Sequence, residues 1–244
     1  SIACKLGFSM EETADMMQQK MKKWARLQKS QAIMHNKIPF EIHITVSEAN
    51  SKQFIDTCKL LDVKPIILAL QAGEDVIRDV MTSSTCMGSN VDAIKEMERI
   101  SSGLIDAGFD VVRKKIETVP WHPAAPSLEH NQPDMPKHCY FESHIAVLID
   151  SKETSDKVAE FCKAHSLHMS RNAMKKYDDD SYKLMLTYRA YSGNREEFIK
   201  TLERYVSALG LIKYASGDEL NIDKVITEFS LFDSNFSKRD SSLL

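Results

Sequence analysis

A pattern used twice constrains this chain more than any other feature. Phe40-Glu41-Ile42-His43-Ile44-Thr45-Val46 returns 101 positions later as Phe141-Glu142-Ser143-His144-Ile145-Ala146-Val147. Successive side chains of a strand point to opposite faces. Phe40, Ile42, Ile44 and Val46 therefore share one face, and Glu41, His43 and Thr45 share the other. The second copy splits the same way, with Phe141, Ile145 and Val147 opposite Glu142, His144 and Ala146. Each copy follows a loop and precedes a Ser (Ser47, and Ser151 after Asp150) that opens a helical pattern, so each reads as the first strand of a module.

The elements that follow repeat as well. Helical spacing over 48–62 carries Phe54, Cys58 and Leu61, and 153–165 carries Val158 and Cys162 at matching places. Strands are expected at 64–70 and 168–174, then at 76–86 and 182–191. Gly88-Ser89-Asn90 and Ser192-Gly193-Asn194 precede helices at 91–106 and 195–208, with Gly108 as a C-cap. Last strands follow at 110–119 and 224–231. The order in both halves is β-α-β-β-α-β, and a period near 100 residues points to duplicated domains, not a solenoid. The expected fold is therefore α+β, two tandem ferredoxin-like modules preceded by an N-terminal helix.

The expected divisions are an N-terminal helical segment (1–36), module one (37–119), a Pro-rich linker (120–138), module two (139–233) and a polar tail (234–244). Ser9 and Glu12 form a capping box, and Met10, Ala14, Met17, Met21, Trp24 and Leu27 give the first segment one apolar stripe. Through Lys37 it carries seven Lys/Arg against three acidic residues, a packing helix with a basic face or a nucleic-acid contact. The linker holds five of the seven prolines and reads as extended and polar. Its His122, His130 and His138 match no compact metal-ligand spacing.

Net charge of −3 and a pI near 6.2 argue against wholesale binding of nucleic acid or membrane. No apolar run reaches the roughly 18 residues that span a bilayer. Five Cys without close pairs read as thiols of a reducing, intracellular and cytoplasmic setting. The opening Ser1-Ile2-Ala3-Cys4 lacks Met, so upstream sequence is expected.

In a ferredoxin-like module the helices cover one sheet face, which leaves the Glu-His face open unless the modules cover each other. Glu117 and Glu228 on the last strands are then equivalent, and Thr82 or Ser84 answers Thr187 or Arg189 on the third, with one residue of alignment slip allowed. So many polar groups call for a hydrated, ligand-binding cleft.

Three functions fit such a cleft. His43-Ile44-Thr45-Val46 resembles the His-apolar-Thr-apolar motif of two-histidine phosphoesterases, which also pair two pseudo-symmetric lobes. That resemblance implies a small-molecule or nucleotide ligand, or RNA ends, with His43 and His144 as acid and base. Thr45, Glu41, Glu142 and Thr187 would line the substrate. The second copy has Ala146 in place of the hydroxyl, so Arg171 or Arg189 would grip the phosphate there. Alternatively His43, Glu117, His144 and Glu228 form a two-nitrogen, two-oxygen shell for a divalent metal. This set resembles that of vicinal-oxygen-chelate enzymes, although their modules are β-α-β-β-β and lack the second helix. The third reading is a non-catalytic ligand- or protein-binding module in which Glu41 and Glu142 pair with His or with cations such as Lys115. The chain also resembles tandem-repeat proteins with paired Phe-Glu-x-His strands, which carry no activity over to it.

Overall fold

A computed structural model describes residues 37–47, 49–72, 75–130, 134–172 and 181–235. The expected N-terminal helix and its basic face lie outside these residues. Pro39–Leu244 forms one compact unit.

The strands are β1 (Ile38–Val46), β2 (Lys64–Ala72), β3 (Asp75–Gly88), β4 (Val111–Thr118), β5 (Tyr140–Ile149), β6 (His168–Asn172), β7 (Tyr182–Ala190) and β8 (Ile222–Asp233). The helices are α1 (Ser51–Leu60), α2 (Asn90–Asp106), α3 (Lys152–Ala164) and α4 (Arg195–Gly210). The strands close into one barrel, in the order β1-β3-β2-β6-β7-β5-β8-β4. Each half contributes its strands as fourth, first, third and second, the ferredoxin-like order. The halves meet edge to edge. At one seam Leu70 and Gln71 pair with Asn172 and Arg171, and at the other Lys115–Thr118 pairs antiparallel with β8.

Local chemistry places the helix starts. Asn50 caps α1, accepting from the Lys52 and Gln53 amides at 3.0 and 3.2 Å. The cap is thus Asn50 and not Ser47, while Ser151 caps α3 as expected. Ser89 with Asp92 and Asn194 with Glu197 form reciprocal capping boxes for α2 and α4. Gly108 follows α2 at φ 87°, a left-handed position that suits glycine, and its amide returns to Ile105 O at 2.9 Å.

Strand alternation decides what the helices cover. Along β1, Ile38, Phe40, Ile42, Ile44 and Val46 are buried and alternate with half-buried residues. Phe54, Cys58, Ile100 and Leu104 are fully buried in the same half. In the other half Phe141, Ile145 and Val147 cluster with Val158, Cys162, Phe198, Leu202 and Phe229. The polar faces of both halves thereby line the inside of the barrel.

The Pro-rich stretch is not an extended spacer. Ala125 belongs to the core of the second half, and Pro126 O accepts from the Arg195 amide at 2.9 Å. His122 is buried against the first half, where Nε2–H donates to Asn90 Oδ1 at 2.9 Å and Nδ1 accepts from the Ala124 amide at 3.1 Å. Acceptance at Nδ1 needs the neutral ring, and burial pushes its pKa down to about 4. The stability this ring contributes is complete above an unfolded-state value near 6.5 and is lost as pH falls towards 4. The stability gap between the wild type and His122→Gln, measured by chemical denaturation, should therefore shrink from pH 7 to pH 4. The expected slope is at most about 1.4 kcal/mol per pH unit. A gap independent of pH would contradict the neutral, doubly bonded ring.

Candidate functional site

The inward faces of β1, β4, β5, β7 and β8 build one polar cluster. Register sets its members: Glu41 lies opposite Glu117, His43 opposite Lys115 and Thr45 opposite Arg113. In the second half Glu142 lies between Arg189 and Glu228, and His144 lies opposite Thr187.

Lys115 is the hub. Its ammonium is buried and bonds both Glu117 Oε1 and, at 2.6 Å, Glu142 Oε1, so one cation joins carboxylates from the two halves. Burial alone lowers the lysine pKa, but these two charges outweigh it and raise the ammonium above its ordinary value. Burial likewise raises Glu142, yet Lys115, the His144 hydrogen bond and Arg189 hold it well below the usual carboxylate range. Glu117 is lowered in the same way, burial being outweighed by Lys115 and His43.

Two histidines flank this hub. The His43 Nδ1–H donates to Thr82 O at 3.1 Å, since a carbonyl can only accept. That leaves Nε2 facing Glu117 Oε2 at 3.3 Å and Glu41 Oε1 at 3.4 Å. Burial disfavours the imidazolium, but the Glu117 bond and the two carboxylate charges prevail and raise its pKa. His144 places Nδ1 3.1 Å from the Thr187 hydroxyl and Nε2 3.3 Å from Glu142 Oε1 and 3.9 Å from Glu228 Oε2. Their side chains stay 17% and 26% exposed, so both rings meet water.

Glu228 differs from the other buried carboxylates. Desolvation and the nearby charge of Glu117 raise its pKa to about 7. Glu117, His144 and Glu228 offer ligand atoms that all lie within 4.8 Å of one another, the compact metal-capable group among the described residues. His43 touches Glu117 but stands outside that group.

Other expectations divide similarly. Glu41, His43, Thr45, Glu142, His144, Thr187 and Arg189 sit on inward faces, and Arg189 bonds Glu142. Arg171 does not. It pairs with core residue Leu184, and its guanidinium lies 3.8 Å over the Tyr182 ring, so β6 turns it towards the helices. On β3 the inward phase is offset from Thr82 and Ser84 by the one residue of slip that the alignment allows. Ser83 Oγ donates to Glu41 Oε1 at 2.8 Å, whereas Ser84 Oγ donates to Glu96 of α2 at 2.7 Å. Thr82 shares Ser84's side, so neither answers Thr187. Unforeseen members are Asp79, whose raised pKa follows from burial, and Asp233, which binds Arg113 at 2.7 Å and accepts from the Tyr140 hydroxyl at 2.9 Å.

No family model matches the chain, and no curated protein does. Among solved structures it is similar to a putative glycine cleavage system transcriptional repressor, at 14% identity and TM-score 0.25, over 79% of this chain and 97% of that one. It is also similar to the regulatory subunit of aspartate kinase from Thermus thermophilus, at 8% identity and TM-score 0.28, over 70% and 92%. The small subunit of acetolactate synthase from Thermotoga maritima matches at 8% identity and TM-score 0.26, over 78% and 95%. Scores this low carry no argument about fold or function. No helix among the described residues is long and apolar enough to cross a membrane.

Removing the hub cation strands two buried carboxylates, a change that typically costs about 3–5 kcal/mol. Lys115→Met should lose stability on that scale in urea denaturation, and adding Glu142→Gln should recover part of the loss. A Lys115→Met variant as stable as wild type would show that the ammonium does not hold the cluster together.

Proposed function

We propose that the chain is a duplicated ligand-binding module whose barrel interior takes a small cationic guest. The duplication rests on the shared element order and on the equivalence of the Glu41/His43/Glu117 and Glu142/His144/Glu228 sets. The observation that carries the binding reading is charge balance. The six carboxyls Glu41, Asp79, Glu117, Glu142, Glu228 and Asp233 outnumber the permanent cations Arg113, Lys115 and Arg189 even with His43, whose pKa is raised, added to them. Each of those cations is already paired, Arg113 with Asp233, Lys115 with Glu117 and Glu142, and Arg189 with Glu142.

A phosphoester substrate would need positive charge left free for its oxygens, and this interior supplies an excess of the opposite sign. The nitrogens that an acid–base pair would use, His43 Nε2 and His144 Nε2, face carboxylates as well. A cation entering the interior would instead relieve the repulsion that burdens Glu228.

A thermal-shift panel tests this reading with small diamines and divalent ions on one side and AMP, cyclic nucleotides and inorganic phosphate on the other. Cations should raise the melting temperature of the wild type, and Glu228→Gln should reduce that gain. Stabilisation by nucleotides or phosphate alone would overturn the reading and favour the phosphoesterase one.

A further inference from the structure

We propose that Glu117, His144 and Glu228 bind a first-row divalent cation, with zinc the preferred ion. The inference rests on the cationic-guest reading and names the guest.

The donors come first. One imidazole nitrogen and two carboxylates form a mixed nitrogen–oxygen set, which suits zinc and its neighbours better than the all-oxygen shells of calcium or magnesium. An ion equidistant from three atoms that lie within 4.8 Å of one another sits at most about 2.8 Å from each. Closing to the roughly 2.0–2.2 Å of zinc ligation takes under about 1 Å of side-chain movement per donor. His144 and Glu228 are half-buried and have room to make it.

The ring is also oriented for ligation. When Nδ1–H donates to the Thr187 hydroxyl at 3.1 Å, the Nε2 lone pair faces Glu142 Oε1 at 3.3 Å and Glu228 Oε2 at 3.9 Å, so an ion there takes the place of the proton that Nε2 otherwise shares with Glu142. A hydrogen bond on the far nitrogen is what fixes the ring of a metal-bound histidine. His43 Nε2 likewise faces two carboxylates, Glu41 and Glu117, but His43 lies outside the compact group.

The experiment titrates zinc alone into the chelator-stripped full chain by calorimetry. One ion should bind per chain. Glu228→Gln and His144→Gln should each weaken binding by at least about tenfold. Surface Glu98→Gln should change nothing. Circular dichroism checks that each variant folds, and X-ray absorption of the zinc-loaded wild type, expected to show mixed nitrogen and oxygen ligation without sulfur, needs no variant. No zinc binding, binding indifferent to both Glu228→Gln and His144→Gln, or sulfur ligation overturns the proposal. If diamines still stabilise the protein in that case, the cationic-guest reading stands without it. If no cation does, both fall.

Discussion

The ammonium of Lys115, held between Glu117 and Glu142, is the interaction on which the rest of the interior depends. A closed barrel with polar inner faces takes charges out of water, and burial without a partner costs several kcal/mol per ion. Lys115 comes from β4 and Glu142 from β5, with β8 between them in the barrel order. The pair therefore ties the two halves together across the inside. Every neighbouring protonation state follows from it. Glu142 and Glu117 stay ionised beside Lys115, His43 gains charge beside Glu117, and Glu228, without such a partner, is pushed the other way.

That asymmetry gives the two copies of the motif different chemistry. Opposite the two Glu-x-His pairs Glu117 answers Glu228, so Lys115 answers Ile226. One half supplies a buried cation and the other an apolar side chain. His43 consequently faces Glu41 and Glu117, while the Nε2 of His144 lies between Glu142 and a carboxylate of raised pKa, Glu228. Thr45 against Ala146 is a second difference of this kind. Identical residues at equivalent places thus do not imply an acid–base pair, because the strands opposite them differ.

Much of this was legible in the sequence where apolar residues mark the alternation. Phe40, Ile42, Ile44 and Val46 assign the inward face of β1 without ambiguity, and pairing extends the assignment to Lys115 and Glu117. On β3 the run Met81-Thr82-Ser83-Ser84-Thr85 has no such marker, and its phase came from tertiary contacts with Glu41 and Glu96. Arg171 was misread for a related reason: a long cation looks like a site residue, yet β6 stacks it on Tyr182. Asp233 lay past the expected end of its strand, which pairing with Lys115 extends. The Pro-rich stretch was read from composition, which carries no information about the buried bonds that His122 makes.

Side-chain NMR of the protein labelled with nitrogen-15 at lysine, followed through the alkaline range, tests the central claim most directly. Exposed lysines lose their protons near about pH 10.4. The Lys115 ammonium should remain protonated after they have titrated, with its signal protected from exchange with water. A Lys115 signal that titrates with the exposed lysines, or before them, would mean that no buried ammonium bridges Glu117 and Glu142, and the account of the barrel interior would fail.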